Sequence, residues 1–499
     1  METKTYHKAG RIIGNILLCT LILVAFLCFF SANWFVSVYG RIGFDSVLYT
    51  LTSSLGGVQS GLITKYLTGA ALPAAVCAAA MCAFLFLRKK NSRFRLKRWV
   101  AITVSICVSL GLITHAAFNV ELVAYLTARS QNSSLFDTEY RNPKYVDVTF
   151  PEQKRNLIHI MLESMETTYL SKAEGGALEE NMIPELAELA LENVNFSQSD
   201  GIGGFQEVPG SGWTIGAMVA QTTGVPLKTP SNLADRFNGY GKDGVFLPGL
   251  DSITSILSAN GYRQALMVGS DIRFGGRDAY YKSHGTDDIY DIYTARKDGI
   301  VPKDYFVWWG MEDKHLFQYA TEKITELAAD EAPFAFTMLT VDTHHVGGYK
   351  CTLCENDHAE KYENVLSCSS RQVYEFVRWI QTQDFYENTT IIITGDHRTM
   401  DNGYISRNVD ADYTRRVYNC FINAATEPEQ EKNREFTTVD MFPTTLAAIG
   451  CSIDGDQLGL GVNLFSRLPT LAERMGYDTF CTEIAKDSSY YHDHFFTPN

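Results

Sequence analysis

The sequence predicts an α/β protein in which N-terminal transmembrane helices precede a domain built on a central, mostly parallel sheet. Two observations lead to this fold class. Three uncharged apolar stretches, each near the ~20 residues that cross a hydrocarbon core, occur before residue 119. From residue 156 onward, short runs of continuous apolar residues alternate with helical segments, which is typical of parallel strands covered by helices on both faces.

The three apolar stretches are Ile12–Phe30, Thr68–Leu87 and Trp99–Phe118. A cleaved signal peptide is the alternative for the first stretch, but the two later spans and the lack of a clear small-residue cleavage site disfavour it. Basic residues precede the first span and fill residues 88–98, so the positive-inside rule places both in the cytoplasm. Everything after Phe118 is then expected outside the cell membrane, in the periplasm or the extracellular space.

The charge is divided unevenly along the chain. Residues 1–118 carry a net charge of +10 and the remainder carries −24, within an overall −14. An acidic large domain argues against a nucleic acid partner, and the chain lacks a Gly-rich Walker loop for a nucleotide. We therefore expect a membrane domain over residues 1–118, a mostly polar linker over 119–153 and an extracytoplasmic catalytic domain over 154–499.

The outer domain predicts strands and helices in alternation. Strands are expected at 157–162, 263–268, 334–339, 390–394 and 417–422, and helices at 183–192, after Thr214, and at 250–260, 315–329, 371–382 and 439–449. In such folds ligands bind at the carboxyl ends of the strands. The same domain has a cluster of Cys351, Cys354 and Cys368 in a polar segment expected to be irregular, where a local disulfide suits an oxidising compartment and zinc binding is the alternative.

Thr214 lies where a glycine-rich loop, residues 208–212, opens into a helix of small apolar residues. Free backbone N–H groups and the positive end of the helix dipole suit a threonine hydroxyl for attack on an anionic phosphate. The alternative interpretation is an ordinary helix cap.

Polar residues follow three of the predicted strands. Glu163 follows the first, and Asp396 and His397 follow the strand at 390–394. Two carboxylates and an imidazole at one sheet edge are suited to a divalent cation, which the Thr214 oxygen would complete and which would activate that hydroxyl. His344 and His345, after another strand, are better candidates for substrate contact than for the metal.

A further strand is followed by a loop with Asp271, Arg273, Phe274 and Arg277. The planar fork of arginine suits a phosphate group. The alternative is a surface turn with solvated charges.

With these residues located, the sequence resembles the lipoteichoic acid synthase and phosphoglycerol transferase family, and most of all its branch that decorates periplasmic glucans, within the alkaline phosphatase and sulfatase superfamily. The resemblance covers about residues 156–465 and rests on several motifs in order. These are 156–164 (NLIHIMLES), 209–226, 282–285 (KSHG), 340–345 (TVDTHH) and 395–397 (GDH). Where Gram-positive lipoteichoic acid synthases usually have His-Gly-Asp, this chain has Gly269-Ser270-Asp271.

The resemblance implies a role for each matching position. Glu163, Thr214, Asp396 and His397 match the metal ligands of the family, and Thr214 also matches its nucleophile. Arg277 matches a phosphate-contacting arginine and His344 a histidine near the glycerophosphate. The implied cofactor is one divalent cation, Mn²⁺ first and Mg²⁺ or Zn²⁺ as alternatives.

The implied function is transfer of glycerophosphate from phosphatidylglycerol to a glycan or teichoic-acid-type acceptor, through a covalent intermediate on Thr214. Phosphoethanolamine transfer and phospholipid hydrolysis are the alternatives, since the same threonine and metal would serve all three. A sulfatase reaction is disfavoured, because the chain shows no Cys or Ser followed at the required spacing by Pro and Arg. A binding module with a dead site would need a lost ligand, and all four expected residues are present.

Overall fold

The computed structural model describes residues 2–40, 43–52, 60–87, 98–228, 245–286 and 288–497. The predicted cytoplasmic loop at 88–98 falls almost wholly outside these residues. The chain forms two compact units, one of Met1–Phe44 and Gln59–Leu126, the other of Asp45–Val58 and Thr127–Asn499.

The helices and strands are numbered here in chain order. The helices are α1 Glu2–Tyr39, α2 Phe44–Thr52, α3 Ser60–Tyr66, α4 Leu72–Leu87, α5 Arg98–Asn119, α6 Leu122–Arg129, α7 Leu135–Glu139, α8 Pro184–Glu192, α9 Thr214–Thr223, α10 Ile253–Ala259, α11 Arg277–Ser283, α12 Ile292–Asp298, α13 Asp313–Ala328, α14 Lys361–Gln381, α15 Asn402–Asn408, α16 Met441–Ala448, α17 Leu471–Met475, α18 Tyr477–Ala485 and α19 Ser489–Phe495. The strands are β1 Val148–Thr149, β2 Asn156–Leu162, β3 Gly204–Phe205, β4 Arg263–Val268, β5 Asp288–Tyr290, β6 Phe334–Leu339, β7 Thr389–Gly395, β8 Val417–Ile422, β9 Ser452–Ile453, β10 Gln457–Leu458 and β11 Gly461–Val462.

The first unit is helical. Three segments are long and apolar enough to cross a membrane, judged by length and composition: Ile12–Tyr39, Gly61–Leu85 and Trp99–Asn119. A π-helical turn at Leu67–Ala71 joins α3 to α4 within the second segment. The three spans predicted from sequence are confirmed as membrane-spanning candidates, and they make the chain a membrane-anchored protein.

The second unit is built on a seven-stranded sheet with the order β3-β8-β7-β2-β6-β4-β5. Strands β2, β4, β5, β6 and β7 run parallel, and β8 is antiparallel to β7. The predicted fold class is therefore confirmed. The division at residues 118 and 153 stays a prediction; within the expected linker the chain forms α6, α7 and β1.

Both faces of the sheet are covered by helices. Ile158, Ile160 and Leu162 of β2 pack with α8, α13 and α14 in one buried cluster. The alternate residues Leu157 and Met161 pack on the other face, with α10 and α16 and with α9 respectively. Because β2 and β7 are buried along their whole length, they carry no polar side chain that faces solvent, which explains their continuous apolar patterns.

Two sequence predictions of local structure were wrong. Helix α14 begins at Lys361, ten residues before the predicted start at Arg371. Consequently Cys368 lies on a helix and not in an irregular segment. No disulfide links the cysteines that the structure describes.

Candidate active site

The polar residues of the site follow the parallel strands at a single sheet edge. Glu163 comes directly after β2, Ser270 follows β4, Thr340 follows β6 and Asp396 follows β7. These four strands are parallel, so their carboxyl ends meet and bring together residues that are far apart in sequence. A small cleft lies here, lined by Glu163, Thr214, Ser270, Phe274, Arg277, Trp309, Leu339, Thr340, Val341 and His344.

Thr214 is the first residue of α9. Trp213 before it has extended backbone angles, so the helix begins abruptly at the threonine. The glycine-rich loop requires glycine at position 210. Gly210 has φ +93°, and a Cβ there would lie 2.5 Å from the Leu227 carbonyl oxygen. The loop thus fixes Thr214 at a helix N-terminus, where the first backbone N–H groups have no partner within the helix.

Glu163, Asp396 and His397 form the centre of the site. Their ligand atoms all lie within 4.8 Å of one another. Thr214 Oγ1 is 3.5 Å from Glu163 Oε2 and 3.4 Å from His397 Nε2. The four residues predicted as metal ligands and nucleophile are therefore brought together.

Each of the three buried ligands is oriented by a second group. Ser164 Oγ donates to Glu163 Oε1 at 2.8 Å, and the backbone N–H groups of Ser164 and His397 both donate to Asp396 Oδ1 at 2.7 Å. His397 Nδ1 lies 2.8 Å from the Arg398 carbonyl oxygen. A carbonyl can only accept, so Nδ1 carries a proton whether the ring is charged or neutral. When Nε2 loses its proton, its lone pair becomes free for a metal, the arrangement seen in metal-ligating histidines.

The electrostatics of the centre favour a cation. Burial and the charge of Glu163 raise the pKa of Asp396 to about 7. Burial would lower the pKa of His397, but Asp396 and Glu163 outweigh it and raise that pKa to about 9. Asp396 Oδ2 is buried and has no hydrogen-bond partner in the described part of the chain. That oxygen lies 3.3 Å from His397 Nε2. Two close carboxylates and an imidazole that gives up its Nε2 proton fit one divalent cation.

Arg277 is buried beside this centre with its guanidinium plane fixed. Its Nε donates to the Phe274 carbonyl at 3.0 Å, and its Nη2 donates to Ser270 Oγ at 2.9 Å and to the Asp271 carbonyl at 2.6 Å. Burial lowers the pKa of Arg277, although the negative charge of Glu163 opposes that shift. A fixed cation at the cleft wall suits a phosphate oxygen.

His344 lines the cleft and His345 does not. His344 Nδ1 lies 2.8 Å from the His345 carbonyl oxygen and therefore donates to it. Burial lowers the pKa of His344, so the neutral ring offers Nε2 as an acceptor. The two imidazoles stack with ring centroids 4.5 Å apart. The Trp309 ring also packs on His344, with ring centroids 4.6 Å apart.

Asp271 and Arg273 do not line the cleft. Arg273, whose side chain is 60% exposed, forms an ion pair of 2.6 Å with the buried Asp271. Phe274 does line the cleft and lies against Trp309 with centroids 5.5 Å apart. Of the loop residues predicted for substrate, Phe274 and Arg277 therefore reach the cleft, while Asp271 supports the loop.

Sequence reasoning missed several residues around the site, namely Tyr49, Ser164, Trp213, Trp309 and Thr340. Tyr49 of α2 donates a 2.6 Å hydrogen bond to the Gly275 carbonyl and packs on Trp213 with centroids 5.7 Å apart. For Trp309 the sequence offered a signal, because Trp308 and Trp309 are adjacent in a chain with only 6 tryptophans. Nothing in the local sequence marks Tyr49.

With this geometry established, similarity to known proteins can be stated. A family profile described as Sulfatase matches residues 155–451, well over half of the chain. The chain belongs to the sulfatase family. That match begins at β2 and ends after α16, so it contains Glu163, Thr214, Asp396 and His397.

Relatives of this sulfatase-family chain include two named phosphoglycerol transferase I. The protein from Xanthomonas campestris pv. campestris is 34% identical over 314 residues, covering 61% of this chain and 42% of its own. The Escherichia coli protein is 28% identical over 476 residues, covering 91% and 57%. The chain thus spans about half the length of these relatives.

A solved structure shares the fold over most of the chain. The integral membrane lipooligosaccharide phosphoethanolamine transferase A from Neisseria meningitidis superposes with a TM-score of 0.52, at 12% identity, covering 88% of this chain and 84% of its own. At that identity the similarity concerns the fold alone.

Proposed function

We propose that this protein is a membrane-anchored phosphoglycerol transferase that moves glycerophosphate from phosphatidylglycerol to a glycan or teichoic-acid-type acceptor. The observation that carries the proposal is the convergence of Thr214, Glu163, Asp396 and His397 at one sheet edge, with Arg277 beside them. The two relatives named phosphoglycerol transferase I support this head group over the phosphoethanolamine alternative.

Glu163, Thr214, Asp396 and His397 would hold one divalent cation, for which we propose Mn²⁺. When bound, the ion lowers the pKa of the Thr214 hydroxyl and offsets the negative charge on a phosphoryl oxygen. The donor set of oxygens and one imidazole nitrogen suits Mn²⁺, Mg²⁺ or Zn²⁺.

The first chemical step belongs to Thr214. Its Oγ1 attacks the phosphorus of phosphatidylglycerol, the bond from phosphorus to the diacylglycerol oxygen breaks, and the threonine proton ends on that oxygen. Glycerophospho-threonine remains on the enzyme. An acceptor hydroxyl then displaces Thr214 Oγ1, which regains a proton and frees the site for the next lipid.

The surrounding residues bind and orient the head group. The fixed guanidinium of Arg277 offsets charge on the phosphate during both displacements, and the α9 N-terminus offers backbone N–H groups nearby. The neutral His344 ring accepts from a glycerol hydroxyl through Nε2. Phe274 and Trp309 supply an apolar wall that limits the access of water to the covalent intermediate.

We also propose that the chain is multi-pass and that its catalytic unit faces outward. The basic residues near the first and second spans place those ends in the cytoplasm. Phosphatidylglycerol is then available from the outer face of the membrane in which the chain is anchored, and no nucleotide or nucleic acid takes part.

The test uses purified full-length protein with Mn²⁺ and phosphatidylglycerol labelled separately in its head group and its acyl chains. Wild type should release diacylglycerol and retain head-group label covalently. Thr214→Val keeps the shape of the side chain without the hydroxyl and should lower the rate by at least ~10³-fold, while Thr482→Val on exposed α18 should leave it unchanged.

Three other outcomes would contradict the proposal. Release of free glycerophosphate with no acceptor product under any acceptor tested indicates a hydrolase. Reaction with phosphatidylethanolamine alone indicates the other head group. Equal activity in wild type and Thr214→Val removes Thr214 from the mechanism.

A further inference from the structure

Three cysteine sulfurs meet at a second location, away from the cleft. Cys351 and Cys354 lie on the loop that follows β6, and Cys368 lies on α14. Cys351 Sγ is 3.7 Å from Cys354 Sγ and 3.8 Å from Cys368 Sγ, and all three sulfurs lie within 4.8 Å of one another. Cys351 and Cys368 are buried, and Cys354 is half-buried.

These distances correspond to a metal-thiolate site. Zinc–sulfur bonds are about 2.3 Å long, and a tetrahedral arrangement then separates two sulfurs by about 3.8 Å. A disulfide requires sulfurs about 2.05 Å apart and uses two cysteines, which would leave the third thiol of this cluster unpaired. Two sulfur–sulfur distances near the tetrahedral value, with the third pair of sulfurs within 4.8 Å, are explained together by one bound ion.

The environment of the cluster is suited to thiolates. The Cys354 N–H donates to the Cys351 carbonyl at 3.2 Å, so the Cys-x-x-Cys segment forms the tight turn that presents two sulfurs in one direction. On α14, the Gln372 side-chain amide donates to Cys368 Sγ at 3.3 Å from one turn further along the helix. A donor to sulfur stabilises a charged thiolate.

A buried carboxylate supplies an independent observation. Asp342, on the same loop as Cys351, is 2% exposed, and neither of its carboxylate oxygens has a hydrogen-bond partner among the described residues. A buried carboxylate with unpartnered oxygens is a group that a nearby cation would stabilise.

We propose that Cys351, Cys354 and Cys368 bind a structural Zn²⁺ ion, whose fourth coordination position is left to water or another group. The ion would fasten the loop after β6 to α14. That loop also carries His344, which lines the cleft. The zinc ion would therefore fix the far end of the loop, at Cys351 and Cys354. The proposal concerns a second metal site and does not depend on which reaction the cleft catalyses.

Two measurements on full-length protein test the proposal. Protein purified without reductant and equilibrated with Mn²⁺ should retain about one zinc ion per chain by elemental analysis. Titration of the metal-free protein with Co²⁺ should give an intense near-ultraviolet absorption, because sulfur-to-cobalt charge transfer requires thiolate ligands, which the catalytic centre lacks.

The variants separate this site from the catalytic one. Cys351→Ser and Cys368→Ser should lose the tightly held zinc and the cobalt absorption. Cys481→Ser, outside the cluster, should keep both signals. If a variant fails to fold, the wild-type cobalt spectrum still decides. Wild-type protein that lacks the absorption, or whose peptides show a disulfide among the three cysteines, overturns the proposal.

Discussion

His159 in the middle of β2 should make the stability of this protein depend on pH. The ring is 2% exposed, and burial lowers its pKa from 6.5 to about 4. Its Nε2 lies 2.9 Å from Thr394 Oγ1, and Thr394 donates its own proton to Gln221 Oε1 at 2.8 Å. Nε2 must therefore carry a proton and donate to Thr394, which fixes a neutral tautomer in the folded state.

The sign of the effect follows from proton binding. Between pH 6.5 and pH 4 the unfolded chain protonates this histidine and the folded chain does not, so the free energy of unfolding falls as the pH falls. With these two pKa values, the loss between pH 7 and pH 5 is about 2 kcal/mol, and it reaches about 3 kcal/mol at pH 4.

The perturbation is His159→Gln, whose side-chain amide can replace Nε2–H as the donor to Thr394 and does not titrate. Unfolding of full-length wild type and variant in the same detergent should be followed at pH 5, 6 and 7. The difference between the two proteins isolates His159, because other titrating groups are common to both. Whatever its stability at pH 7, the free energy of unfolding of the variant should fall by about 2 kcal/mol less than that of wild type on going to pH 5. A difference that stays constant within ~0.5 kcal/mol across this range would refute the buried neutral histidine.

Three further changes test the site and its support. Tyr49→Phe leaves the buried Gly275 carbonyl without its donor, which costs about 1–3 kcal/mol of stability. The variant should show a kcat/KM lowered roughly 10-fold or more with unchanged Mn²⁺ binding. A kcat/KM equal to that of wild type would contradict a role for this contact. In Arg277→Lys the lysine cannot make the guanidinium hydrogen bonds to three acceptors. The rate of transfer should fall at least ~100-fold with little change in melting temperature. A near-normal rate would exclude Arg277 from phosphate contact. Arg415→Met leaves the fully buried Glu166 without its ion pair and should lower the free energy of unfolding by about 3–5 kcal/mol. The double variant with Glu166→Gln should regain part of that stability. A single variant as stable as wild type would contradict the pairing.

The meeting of Glu163, Thr214, Asp396 and His397 could be predicted because strand ends and sheet direction are encoded locally. A continuous apolar run predicts a parallel strand, and the polar residue after it, such as Glu163 or Asp396, then falls at the ligand-binding edge. The start of α9 at Thr214 follows from the glycines before it. These features need only a few neighbouring residues to be read.

Features that depend on distant contacts were not predictable in this way. The first ten residues of α14 include Ser367, Ser369 and Ser370, which have weak helix propensity, and packing against α8 and the sheet makes them helical nevertheless. Tyr49 and Gly275 are 226 residues apart. Local periodicity carries no information about such a pair, and the same holds for the meeting of Cys368 with Cys351.

Helix α2, which carries Tyr49, lies among the N-terminal membrane segments in the sequence, and this position has a practical consequence. A soluble fragment that begins after Leu126, whether produced by a protease or by recombinant expression, keeps Thr214 and the other proposed ligands of the cation but loses Tyr49. The Trp213 ring and the Gly275 carbonyl would then face water. Such a fragment should take up Mn²⁺ normally and still turn over poorly, so rates measured on a shed domain would understate those of the intact enzyme.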